Sequence, residues 1–186
     1  MLRMLVAFTT YDGHTAKIAE RIASTLGHAD CAIDVCDLAR SRPERSLEND
    51  DRVIAGGPVH GGQHPPQLVK FAFENSAALN AKPSAFFSVS LSAAGNDAQQ
   101  EDATRCLYEF LEQTCWRPST STIIAGALLY RKYGFIKRWM MKMIVKRGGG
   151  DTDTSRNYVY TDWEAIDQFA NEFAVRLAGK TEAAMA

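Results

Sequence analysis

Cysteine is scarce in this chain and none of it is paired in sequence. Only Cys31, Cys36, Cys106 and Cys115 occur, and no two stand in C-x-x-C spacing. That density excludes a disulfide-stapled secreted domain and implies no metal site, so the four read as reduced thiols. Cys31 and Cys36 fall in or beside an expected strand, where a thiol acts as a small apolar side chain. Long apolar runs are also missing: no stretch reaches the roughly 18 uncharged apolar residues of a spanning helix. The first strand starts at Met4, which leaves no space for the charged and apolar regions of a secretion signal. A cytoplasmic protein that does not cross a membrane is expected. Net charge is nearly absent at −1, which argues against DNA and RNA as partners, since they favour a domain that is basic as a whole.

What is present is enough for one core. A length of 186 residues with 46% hydrophobic content suits a single domain, expected over 1–179, with 180–186 as a frayed tail. Short apolar runs at Met4–Phe8, Ala32–Cys36, Arg52–Gly56, Ser84–Val89 and Thr122–Leu128 read as buried parallel strands. Ile18, Ile22 and Leu26 share one helical face that Gly27 ends, and Leu68, Phe71 and Ala72 mark a later helix. A last helix is expected from the capping-box spacing Thr161-Asp-Trp-Glu164, continuing through Ile166, Phe169, Phe173 and Leu177. Alternating strands and helices imply an α/β fold with a doubly wound five-stranded parallel sheet.

Directly after the first strand comes Thr9-Thr10-Tyr11-Asp12-Gly13-His14-Thr15, leading into the first helix. Helix N–H groups and Thr hydroxyls wrap a phosphate, and Gly13 lets the backbone come close, without any need for a cation. The run lacks G-K-[ST] and G-x-G-x-x-G, which argues against a triphosphate or a dinucleotide and favours a monophosphate. Phe8, Thr10, Gly13 and Thr15 match the phosphate loop of the flavodoxin family, which the chain resembles; Ala7 departs from it, where a larger apolar residue is usual.

That resemblance implies a flavodoxin-like fold and non-covalent FMN. The phosphate is expected on Thr10, Tyr11, Asp12, Gly13, His14 and Thr15. Two loops at carboxyl ends of strands are assigned to the flavin ring: Pro58, Val59, His60, Gly61 and Gly62, and then Ser90, Leu91, Ser92, Ala93, Ala94 and Gly95. His60 and His64 are the acid–base candidates nearby, although loop histidines more often pack or hydrogen-bond.

One connection is too long. Leu129–Asn157 separates the fifth strand from the last helix, far beyond the usual two to six residues or so. Within it, residues 131–147 carry seven Lys or Arg and no acid, a +7 segment on a body of −8. At helical spacing Ile136, Trp139, Met140, Met143 and Ile144 share one arc, with Lys137, Arg138, Lys142 and Lys146 opposite. A basic amphipathic helix of this kind suits the surface of an anionic membrane, and it equally suits packing on its own protein. Asp151 and Asp153 read as a solvated turn rather than a metal pair.

The chain also resembles the flavodoxin-type, quinone-dependent protoporphyrinogen oxidases over roughly residues 4–175. The likeness is densest at Pro83–Leu91, Trp116–Pro118, Ile124–Leu128, the insertion, Gly149–Thr154 and Tyr160–Trp163. It implies oxidation of protoporphyrinogen IX with a membrane quinone, menaquinone or ubiquinone, as acceptor, in haem biosynthesis. The +7 segment with its Trp and Met face adds the expectation of peripheral attachment to the inner face of the cell membrane through 131–147. No side chain is named as a catalyst, and Arg131 and Lys132 are the candidates for the substrate's propionates. An electron-carrying flavodoxin and an NAD(P)H-quinone reductase are the competing readings.

Overall fold

The computed structural model describes residues 2–27, 31–43, 46–132, 134 and 151–184, with side chains through Val175. The chain runs β1 (Leu2–Phe8), α1 (His14–Leu26), β2 (Cys31–Asp37), β3 (Arg52–Pro58), α2 (Pro66–Glu74), α3 (Ser76–Asn80) and β4 (Ser84–Ser90). It continues through α4 (Asp97–Thr114), β5 (Thr120–Ala125), β6 (Ala127–Leu128), β7 (Tyr158–Val159) and α5 (Trp163–Ala184). The five long strands form one sheet in the order β2-β1-β3-β4-β5, parallel at every pairing. This is the doubly wound arrangement the strand–helix alternation implies.

Alternation along each strand builds two cores. Met4, Val6 and Phe8 of β1 pack with Ile18 and Ile22 of α1 and Ile166, Phe169 and Phe173 of α5. Leu5 and Ala7 point the other way, toward Leu68 and Phe71 of α2 and Leu107 and Phe110 of α4. With both faces covered, β4 is buried at every residue, its small serines Ser84, Ser88 and Ser90 included. On the first face Arg21 holds Asp167 of α5 through a two-pronged pair at 2.7 and 2.5 Å, and Thr25 adds a hydroxyl at 2.7 Å.

Four sequence expectations are corrected here. The run Thr122–Leu128 is not one strand: β5 begins at Thr120, ends at Ala125, and Gly126 N–H makes a last bond to Ser90 O at 3.0 Å. Beyond Ser90, β4 turns into a 3₁₀ turn at Ser92–Ala94 and offers no further ladder. The chain therefore peels away, and Ala127–Leu128 pairs antiparallel with Tyr158–Val159. Secondly, Thr161 does not cap the last helix. Asp162 Oδ1 accepts from Glu164 N–H and Ala165 N–H at 3.0 Å each, since a carboxylate is the stronger acceptor beside a positive helix end. Thirdly, α5 runs through Ala184, so most of the expected tail is helical. Its Lys180–Ala184 stretch is mostly Ala, Glu and Lys, which are strong helix formers. Lastly, α4 has no counterpart in the sequence reading, although Asn96 and Gln99 form a reciprocal capping box at its start. The basic amphipathic helix expected at 136–146 lies outside the described residues.

Candidate functional site

The carboxyl ends of β1, β3, β4 and β5 open onto a cavity of about 490 Å³. Its walls are the β1–α1 loop, the β3–α2 loop, the turn after β4, Gly126, Ala127 and Leu129 beyond β5, and Asp102, Ala103, Arg105 and Cys106 of α4. Strand order reverses between β1 and β3, and ligands of open α/β sheets bind at that switch point.

The β1–α1 loop is shaped by one residue. Gly13 sits at φ 82°, a left-handed conformation that favours glycine, and its N–H donates to Thr10 Oγ1 at 3.0 Å. No side chain caps α1 and no acid stands in its first turn, so its leading N–H groups are left without a side-chain acceptor and can take an anion. At the base of the loop, the buried Thr9 Oγ1 has no hydrogen-bond partner among the described residues, which calls for water or a ligand.

The β3–α2 loop turns tightly, with His60 and Gln63 exchanging backbone bonds at 2.9 and 3.2 Å. Gly61 (φ 59°) and Gly62 (φ 80°) make that turn, and no atom lies within 4 Å of where a Cβ would stand on either. Across the mouth the His60 ring meets the exposed Tyr11 ring edge-on at 4.5 Å. After β4, Ser90 Oγ accepts from Ala93 N–H at 3.2 Å.

The flavodoxin-domain family model matches residues 5–155. The curated protoporphyrinogen IX dehydrogenase (quinone) of Escherichia coli K12 is 38% identical over 93% of this chain and 95% of its own length. The chain belongs to the flavodoxin family of quinone-dependent protoporphyrinogen IX dehydrogenases. The Leishmania major dehydrogenase of the same name is 34% identical, over 92% of this chain and 74% of its own. Among solved structures, oxidised flavodoxin 1 of Bacillus cereus superposes with a TM-score of 0.56 at 19% identity, covering 92% of this chain and 97% of that one. Rubredoxin oxygen:oxidoreductase of Desulfovibrio gigas gives 0.58 at 14% identity, covering 96% of this chain and 37% of its own. These two bear on the fold alone.

The flavodoxin cofactor is FMN, and the site fits it. A hydroxyl-lined helix end with no acid in its first turn suits the phosphate, and a cavity of this size lies within the usual range for cofactor pockets. Of the residues expected around it, Thr10, Tyr11, Asp12, His14, Thr15, Pro58 to Gly62 and Ser90 to Ser92 line the cavity. Gly13 shapes the loop from outside the lining. Ala93, Ala94 and Gly95 are not in the walls: Ala93 and Ala94 end the 3₁₀ turn that Ser92 begins, and Gly95 follows it and packs on Gln99. The α4 wall was missed with its helix; the Asn96-x-x-Gln99 spacing was its signal.

Three flavodoxin-loop histidines differ in role. His14 Nε2 lies 2.7 Å from Thr161 Oγ1, whose proton goes to Ala125 O at 2.6 Å, so His14 carries its proton on Nε2 and donates it. Burial first, then Lys17 and Lys132, lower its pKa, and the ring stays neutral at pH 7. His64 is no acid–base group of the cavity: it lies behind the wall, 3.0 Å from Ser88 Oγ and tilted against Phe86 and Phe110. His60 stands at the mouth, against Tyr11.

The two propionate candidates lie outside the cavity wall. Neither Arg131 nor Lys132 lines the cavity. Arg131 is held by its backbone N–H on Asn157 Oδ1 at 3.0 Å, while Lys132 Nζ donates to Asp12 O of the phosphate loop at 2.9 Å. Among the described residues the Lys or Arg in the wall is Arg105, set between Asp102 at 2.9 Å and Glu109 at 3.6 Å. No His, Cys, Asp and Glu cluster suited to a metal occurs among the described residues.

Proposed function

We propose that this protein oxidises protoporphyrinogen IX to protoporphyrin IX with FMN as cofactor and a membrane quinone as electron acceptor. The observation that carries the reading is the 38% identity over 93% of this chain and 95% of the dehydrogenase, an alignment too long to exclude the insertion. When bound, FMN supplies the redox chemistry, taking electrons from the porphyrinogen and passing them to the quinone. Thr10 to Thr15 hold the phosphate; Pro58 to Gly62 and Ser90 to Ser92 hold the ring. The chain's part is otherwise positional. Gly61 and Gly62 leave the space above the β3–α2 turn open for a broad substrate. Arg105 in the wall and Arg131 at the root of the insertion are the cations that meet the two propionates.

In anaerobic mixtures of FMN-loaded protein and protoporphyrinogen IX, porphyrin fluorescence should grow only when a quinone is added. No turnover with a reducible flavin would move the protein to the electron carriers.

Residues 131–147 dock the protein on an anionic membrane, where the quinone resides. Seven basic residues without an acid support this, at roughly 1 kcal/mol for each Lys or Arg near an anionic leaflet. No described helix is long and apolar enough to cross a membrane, which suits attachment at the surface. Co-sedimentation with anionic vesicles should be strong at low salt and fade as salt screens the charges. Absence of binding at low salt would sink the docking role.

A further inference from the structure

The phosphate loop needs no cation by its pattern, yet the fold brings one to it. Lys132 is 120 residues from Asp12 in sequence, and its Nζ donates to the Asp12 carbonyl at 2.9 Å. The same ammonium lies 3.6 Å from the position of a Cβ on Gly13, the residue that opens α1. It is delivered by a braced segment rather than by a free loop. Tyr130 is fully buried and its hydroxyl donates to Asp151 O at 2.9 Å; Lys132 N–H donates to Leu129 O at 2.8 Å; Arg131 N–H is held by Asn157. Tyr160 hydroxyl closes the brace on Asp151 Oδ2 at 2.6 Å. Both ends of the insertion are thus tied together just where Lys132 leaves it.

We infer that Lys132 is the counter-ion of the cofactor's phosphate, so that the root of the insertion is a working part of the FMN site rather than of the porphyrinogen site. The inference rests on the FMN reading above. An ammonium has three N–H donors and one goes to Asp12 O, which leaves the group able to bond a second acceptor without moving off the loop. The charge balance favours it. The first turn of α1 has no acid, but Asp12 precedes it on the cavity wall, so a phosphate dianion at the dipoles and hydroxyls of the loop meets a carboxylate whose charge Lys132 offsets. Lys132 also acts on this helix end, adding to burial and Lys17 in lowering the pKa of His14. The two propionates would draw the same lysine away from the loop, whereas Arg131 and Arg105 stand elsewhere and remain for them.

The test separates the phosphate from the rest of the flavin. Full-length wild type, Lys132→Met and Lys132→Arg are titrated with FMN and with riboflavin, which lacks the phosphate, at low and high salt, with flavin fluorescence as the readout. Lys132→Met should raise the Kd for FMN about tenfold at low salt, as expected for one partly exposed charge-assisted bond. Riboflavin affinity should be unchanged, Lys132→Arg should stay close to wild type, and the difference should shrink in high salt. Equal FMN affinity in Lys132→Met and wild type would overturn the inference, as would a parallel loss for riboflavin, which marks a purely structural role. Failure of the wild type itself to bind FMN would instead remove the flavin reading, and this one with it.

Discussion

Gly56→Ala should destabilise the protein by about 3 kcal/mol, the upper end of what overpacking a core causes. Gly56 lies mid-sheet in β3, opposite Phe8 of β1 and Phe87 of β4. A Cβ there would stand 2.3 Å from Phe87 O and 2.4 Å from Phe87 Cγ. Neither neighbour yields. The carbonyl belongs to the sheet, and the ring is fully buried between β1, β3 and α5. Relief requires β3 and β4 to part, and the β3–α2 loop of the FMN site begins three residues later. For a domain of this length each kcal/mol moves Tm by about 2–4 °C, so the variant should melt about 6–12 °C lower. Gly61→Ala is the control, because no atom lies within 4 Å of its Cβ position and only the left-handed backbone is strained. A wild-type Tm for Gly56→Ala would show that the sheet absorbs a methyl where the geometry allows none.

Acid should weaken the fold through His64. Burial lowers its pKa from 6.5 to about 4, with the ring enclosed by Phe86, Phe110 and Ser88. In the unfolded chain the ring protonates near its ordinary value, while in the folded chain it stays neutral. Protons therefore bind the unfolded state first, and stability falls as pH drops through the window from about 6.5 to 4. Above that window the group is neutral in both states and has no effect. The complete loss is about 3 kcal/mol, and about 2 kcal/mol of it is reached by roughly pH 5. Urea unfolding at fixed flavin saturation should show this slope in wild type and a shallower one in His64→Gln, which has no proton to gain. Identical slopes would assign the acid sensitivity elsewhere.

Both expectations concern core positions behind the site. Gly56 was read as the end of a strand and His64 as an acid–base candidate. The first is a tight crossing and the second a core residue, because each is decided by what the neighbouring strand places against it. The same holds for Thr161. Its spacing to Glu164 is that of a cap, but the hydroxyl is taken by Ala125 O and His14, and Asp162 caps the helix instead.

Element order, the phosphate loop and the segregation of charge were determined by the sequence alone, since each is written in residues within a few positions of one another. Strand runs, helical faces and the Thr10–Gly13–Thr15 spacing need only local chemistry to be recognised. Tertiary structure decided the rest. The split of the fifth strand at Gly126 follows from where β4 stops offering partners, and the α4 wall of the cavity from which helix lies over that edge. The seat of Lys132 on Asp12 joins residues 120 positions apart. Such contacts arise when the sheet closes and the insertion is braced, and local spacing carries no record of them.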